Sequence, residues 1–342
     1  MNTDSSKYVT DESAISSLGF PLYTKSWKLS AQTIVIISSS SLTLFLYNKQ
    51  PAGIVKARLV FVHGFSDHCN NPGVFFFPYL ASHGIEVYAY DQRYHLPSRN
   101  KQQIQTDLTP NLRGFGRNAK LPSQRGASGP TKTVLLDMTE LLMTVLPSPY
   151  PVFLMGHSMG GQQVLYYGTQ GPVSILQQLS GFIVEAPAIH LPDAPTGFMR
   201  LLLRYTAKML PKFQMHAAPK PARLTRDPVR NAEIEADVLF HGYCTLEGMD
   251  GALERVDYNI SAGCKQLGEA TPMHEPSLLM LQGTADDVCL LSGAEEYFKK
   301  CPLKDKELKF YEGWLHELHG EVGEEKLTFA RDVTYWILSH SK

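Results

Sequence analysis

Charge is sparse in this chain and forms no long run of either sign. Only 19% of its 342 residues are Asp, Glu, Lys or Arg, and 32 basic residues offset 33 acidic ones to a net charge of -1. Without a basic block long enough to follow a phosphate backbone, nucleic acid is excluded as an expected partner. Cysteine is scarce as well. Cys69, Cys244, Cys264, Cys289 and Cys301 are scattered, odd in number and without CxxC or Cys/His ligand spacing, which favours free thiols in a reducing compartment. No ligand cluster or glycine-rich phosphate loop is present, so neither a metal nor an organic cofactor is expected. The first residues, MNTDSSKYVTDES, are polar and acidic where a secretory signal would be basic and then apolar. The apolar stretch Thr33 to Tyr47 is broken by Ser38 to Ser41 and falls short of the ~20 residues of a spanning helix. A cytosolic protein is expected, with any membrane or lipid-droplet contact peripheral.

Hydrophobic residues make up 43% of the chain, ample material for a buried core. Short apolar runs closed by Gly, Asp or Pro read as strands buried on both faces: Ala57 to His63, Ile85 to Tyr90, Pro151 to His157, Phe182 to Ala186, Leu278 to Gln282 and Leu308 to Tyr311. Between several of them lie helical patterns, such as the three-to-four apolar spacing of Thr133 to Leu146. Strands alternating with helices predict a mainly parallel α/β sheet covered on both sides. The stretch 187–237 breaks this rhythm with seven prolines and one long amphipathic segment, Gly197 to Leu210. It reads as a lid inserted between core strands. Arg200, Arg204 and Lys208 share one face of that segment, which suits either a solvated helix face or a surface resting on lipid headgroups.

Gly156-His157-Ser158-Met159-Gly160 ends a predicted strand and opens a helical pattern. A nucleophile standing on a tight strand-to-helix turn needs small residues two positions to either side, and Gly156 and Gly160 supply them. Serine needs a base, and the base an orienting acid. Gly283-Thr284-Ala285-Asp286-Asp287 and the segment Glu312 to His319 follow two later strands in the order acid, then histidine. They belong to the sheet edge that bears Ser158, with Asp286 or Asp287 as the acid and His316 or His319 as the base. The amide of Met159 supplies one donor to the oxyanion, and that of Phe65, in the loop His63 to His68 after an early strand, supplies the other.

Through HGFSDH, GHSMGG, QGTADDVC and YEGWLHELHGE, at positions between 63 and 321, the sequence resembles the monoacylglycerol lipase group of α/β-hydrolases, which is grouped with lysophospholipases and serine aminopeptidase-like hydrolases. The resemblance implies an α/β-hydrolase fold with a helical lid, Ser158 as nucleophile, Asp286 as acid and His316 as base, with Asp287 and His319 as the fallback pair. It implies Phe65 and Met159 as the oxyanion hole, and a thiol, Cys289, near the site and open to thiol reagents. A lipid ester is the implied substrate, held in an apolar channel that includes Phe198, Met199 and Leu202. Lysophospholipase, carboxylesterase and aminopeptidase chemistry use the same triad, and a disabled lipid-binding protein could keep the fold. A peptidase would need a carboxylate for the free amino group, for which Glu185 and Glu247 are the candidates.

The expected organisation is a polar segment 1–22, a core over 23–186, the lid 187–237 and the rest of the core over 238–342. The core carries atypical insertions at about 29–50 and 94–113. The second separates Asp91-Gln92-Arg93 from Gly114-Phe115-Gly116-Arg117, which the resembling family runs together. Arg93-Tyr94 permits G-T-A across a codon boundary and Arg113 permits a terminal A-G, so the run reads as an intron retained in frame. Transcripts lacking codons 94 to 113 are expected. Reads running uniformly through them would contradict the idea.

Overall fold

The computed structural model describes residues 8–15, 22–29, 31–32, 50–51, 54–92, 114–119, 121–271 and 274–341. Its frame is a sheet of eight strands: β1 (Tyr8–Ile15), β2 (Leu22–Leu29), β3 (Ala57–Val62), β4 (Ile85–Tyr90), β5 (Val152–His157), β6 (Gly181–Glu185), β7 (Ser277–Gly283) and β8 (Lys306–Tyr311). They lie in the order β1-β2-β4-β3-β5-β6-β7-β8. β1, β2 and β4 pair antiparallel, and every pairing from β4 through β8 is parallel.

The inner parallel strands are apolar at successive positions because both faces of the sheet are covered there. β8, at the edge, is largely half exposed with only Tyr311 buried, which corrects the expectation that Leu308 to Tyr311 is buried on both faces. On β3, Val60 and Val62 enter one core cluster while Leu59 and Phe61 enter the other. β5 divides in the same way, with Val152 and Leu154 on one side and Phe153 and Met155 on the other. This is the two-residue alternation of a strand, with each fully buried aliphatic or Phe side chain contributing about 2 kcal/mol. Helices α2 (Thr131–Val145) and α3 (Met159–Gln170) cover the first face. Helices α1 (Phe76–Ser82) and α8 (Glu325–Ser339) cover the second. Four more helices are α4 (Gly197–Met209), α5 (Pro228–Ala236), α6 (Leu246–Tyr258) and α7 (Leu291–Lys300). Among the described residues no helix is long and apolar enough to cross a membrane.

The 94–113 run lies outside the described residues, as does nearly all of 29–50. The chain on either side of the later run is nonetheless joined. The Phe115 amide donates to the Gln92 carbonyl at 2.9 Å, and the Asp91 carboxylate accepts the amides of Cys69 and Arg117 at 2.9 and 2.7 Å. Asp91 and Gln92 thus brace the loop after β3, with Gln92 Nε2 donating to the His63 carbonyl at 2.7 Å.

Candidate active site

Ser158 stands between the end of β5 and the first turn of α3 with φ 53° and ψ -117°, a conformation costly for any residue with a side chain. Three non-glycine residues among those described have positive φ: Ser66, Ser158 and Ala186. All three follow carboxyl ends of neighbouring strands, so the strained backbone gathers at one edge of the sheet. The flanking glycines are required there. A Cβ on Gly160 would lie 2.1 Å from the Val62 carbonyl oxygen, and one on Gly156 would lie 2.3 Å from the Gly160 carbonyl oxygen. Gly64 lets the loop after β3 approach as well, though less tightly, since its Cβ would lie 3.0 Å from His157 Nδ1 and 3.3 Å from Ser158 Cβ. Among the described residues, neither the Phe65 nor the Met159 amide is spent on a protein acceptor.

Asp286 leaves β7 in a turn that its own carboxylate holds. Oδ1 accepts the amides of Val288 and Cys289 at 2.9 and 3.0 Å, and Oδ2 accepts Gln282 Nε2 at 2.9 Å and His316 Nδ1 at 2.8 Å. Burial would raise its pKa, but the facing His316 ring and these donors hold the carboxyl below its ordinary value. Burial would likewise strip His316 of its proton, but the Asp286 carboxylate outweighs it and carries the imidazole well above its ordinary pKa. When the ring is neutral, Nδ1 keeps the proton because the carboxylate accepts, and Nε2 is left with the lone pair. The Cys289 thiol lines the same cavity as Ser158 and His316. Burial pushes that thiol's pKa up, which keeps it protonated and a poor target for thiol reagents.

The fallback residues lie elsewhere. Asp287 turns outward to Arg223, 2.9 Å away, and His319 bonds to Glu185 at 2.8 Å. The loop bearing His316 is held on all sides. His157 Nε2 donates to the His316 carbonyl at 3.2 Å, and Arg230 of α5 pairs with the buried Glu317 at 2.7 Å. Glu317, which burial alone would protonate, is held ionised by that guanidinium. Sequence reasoning missed Gln282, Glu317 and Arg230. Gln282 lies near the end of β7, four residues before its partner Asp286, whereas Arg230 lies on α5, 87 residues from Glu317 in sequence.

Ser158, Met159, Phe65, Cys289 and His316 line one cavity of about 290 Å³. Its apolar wall comes from Leu191, Ala217, Leu224, Met249, Leu253 and Val288, among others, and Asp67, Asp193, Glu317 and Arg223 supply charge. Phe198, Met199 and Leu202 are not in that wall. They are 75%, 59% and 41% exposed on α4. Arg200 turns inward to Asp250 of α6, on the side of the buried Ala207, while Arg204 is half exposed 3.9 Å from the same carboxylate and Lys208 is exposed. Of the two carboxylates considered for an amino group, Glu185 is buried behind the site and Glu247 lines a separate surface hollow.

The family model for serine aminopeptidase, S33 matches residues 100–323. The Schizosaccharomyces pombe protein named "Putative monoglyceride lipase" is 31% identical over 289 residues, 84% of this chain and 68% of that protein. The monoacylglycerol lipase of Mycolicibacterium smegmatis is 26% identical over 85% of this chain and 89% of its own length. A soluble variant of monoglyceride lipase from Saccharomyces cerevisiae, solved with a substrate analog, superposes with a TM-score of 0.74 at 18% identity. That match covers 100% of this chain and 98% of that one and shows a shared fold.

Proposed function

Because the chain belongs to the serine aminopeptidase S33 family of α/β-hydrolases, we propose that it is a serine hydrolase cleaving esters of single-chain lipids, monoacylglycerol foremost. The observation that carries this reading is that His316, bonded to Asp286 behind it, shares with Ser158 the wall of a largely apolar cavity. In this reading His316 Nε2 takes the Ser158 proton as Oγ attacks the ester carbonyl, and Asp286 stabilises the imidazolium that results. The Phe65 and Met159 amides receive the developing oxyanion, a contribution of about 3 kcal/mol per donor. Collapse breaks the bond to the alcohol, which leaves with the proton from His316. Water, deprotonated by the same ring, then releases the fatty acid and restores Ser158.

The segment 187–237 serves in this reading as a lid over the cavity. The outward row of Phe198, Met199 and Leu202 rests on the lipid surface from which substrate is drawn, rather than on the acyl chain. A peptidase is less well supported, because the cavity carboxylates are occupied. Glu317 is paired with Arg230, Asp193 with Arg223, and Asp67 accepts from Asn71 Nδ2 at 2.7 Å.

The test is hydrolysis of a chain-length series of monoacylglycerols presented in liposomes, beside lysophospholipids and aminoacyl amides. Each methylene that finds apolar wall contributes ~0.8 kcal/mol, so kcat/KM is expected to rise about fourfold per added methylene until the cavity is filled. The protein is also expected to float with the liposomes. Faster turnover of aminoacyl amides, or no dependence on chain length, would defeat the reading, and protein left wholly in the soluble fraction would defeat the surface contact.

A further inference from the structure

Glu185 ends β6, a strand buried along its whole length, and places a carboxylate where no water reaches it. A charge in such a place persists only with partners that replace its hydration. Glu185 Oε1 accepts the His319 amide at 3.1 Å, and the carboxylate oxygens lie 2.8 and 3.0 Å from His319 Nδ1. The main-chain carbonyl of the same residue accepts the Ser158 amide at 2.9 Å. One residue thus holds the turn bearing Ser158 by its backbone and the loop bearing His316 by its side chain. The ring of His157, next to Ser158, packs 4.9 Å from that of His316 and 5.2 Å from that of His319. Neither Glu185 nor His319 lines the cavity, so both act out of reach of substrate.

We propose that Glu185 and a protonated His319 form a positioning pair that sets His316 against Ser158. The proposal rests on the roles given to Ser158 and His316 above. The surroundings of His319 favour its charge. It faces Glu185 from β6, Glu317 on its own loop with 3.5 Å between Nε2 and Oε1, Asp67 from the loop after β3 and His157 from β5. Arg230 of α5 stands behind Glu317, and Phe76 of α1 and Phe329 of α8 add uncharged rings. Burial opposes the imidazolium, but the carboxylates outweigh it and raise the His319 pKa.

The experiment is the pH dependence of monoacylglycerol hydrolysis by wild type and Glu185→Gln, with fluorophosphonate labelling of both. Glutamine keeps the carbonyl bonded to Ser158 and one side-chain acceptor while removing the charge. A displacement of about 1 Å at a reacting group costs on the order of 100-fold, so kcat is expected to fall about 10- to 100-fold, with KM changed by less than about threefold. Wild-type kcat is expected to decline on the alkaline side as His319 loses its proton. In Glu185→Gln that limb moves to lower pH, since the imidazolium has lost its nearest counter-charge. A merely structural role would lower Tm and leave the kcat and the limb of the folded fraction unchanged, and that result overturns the proposal.

Labelling separates the two possible failures. A wild type that forms no adduct refutes the roles of Ser158 and His316, and the pair with them. A wild type that labels, beside a Glu185→Gln variant with wild-type kcat and pH profile, refutes the pair alone. Should Glu185→Gln fail to fold, His319→Asn decides. It leaves the Glu185 carboxylate without its counter-charge at every pH, so kcat is expected to fall about 10- to 100-fold with the alkaline limb gone, and a wild-type kcat or a persisting limb overturns the proposal.

Discussion

Replacing Ser158 with alanine is expected to lower kcat by about 10⁵-fold and leave the protein folded. The loss is large because the hydroxyl is the atom that would be acylated, and nothing else in the cavity wall can take its part. The neighbouring thiol of Cys289 lines the same cavity wall. Burial raises the Cys289 pKa and keeps it in the inert thiol form. Folding should survive, since alanine bears the same φ of 53° at the cost serine already meets, and both flanking glycines stay in place. The variant is checked by steady-state hydrolysis of a monoacylglycerol together with its thermal melting curve. A fall of less than about tenfold would remove Ser158 from the chemistry.

Asp286→Asn is expected to lower kcat by about 10⁴-fold, with a change in pH dependence that identifies its cause. Asparagine would offer His316 Nδ1 either a weaker acceptor or a donor that selects the wrong tautomer. The sign of the pH effect follows from charge. In the wild type the Asp286 carboxylate holds the His316 pKa well above its ordinary value, so the neutral base appears, and activity rises, as pH climbs through that raised pKa. In Asp286→Asn the imidazolium loses its counter-charge, and the acid limb of the remaining activity moves to lower pH. Stability changes in the same sense. The interaction favours the fold where Asp286 is ionised and His316 protonated. It is lost as pH falls through the depressed pKa of Asp286 and again as pH rises through the raised pKa of His316. An acid limb that stays in place would show that Asp286 does not set the ionisation of His316.

The sequence carried the catalytic edge well because strand ends are legible. Buried apolar runs stop where Ser158 and Asp286 begin their turns, the half-exposed edge strand stops before the turn of His316, and the order of those turns along the chain matches their places on the sheet. The choice between Asp286 and Asp287, or between His316 and His319, was not legible from spacing, because neighbouring residues in a loop share the same approach to the edge. Only the resemblance chose between them. The structure separates them by their partners, Arg223 for Asp287 and Glu185 for His319.

The direction of α4 was not legible for a different reason. A helix with one apolar and one cationic face tells which residues travel together, but which face turns inward depends on the neighbour. Asp250 on α6 draws Arg200 to the inner side beside Ala207, while Arg204 and Lys208 stay toward solvent. Glu185 carried a signal that could have been used: an acid closing a strand of Phe182, Ile183 and Val184 is costly unless paired, so it announces a partner. Its partner, 134 residues away in sequence, is visible only once the sheet is assembled.

The measurement that tests the central claim most directly is the intact mass of the full chain after treatment with a fluorophosphonate, beside Ser158→Ala. The account predicts a single phosphonyl adduct on the wild type, placed on Ser158 by peptide mapping and absent from the variant. A folded wild type that gains no mass, or an adduct that persists in Ser158→Ala, would contradict it.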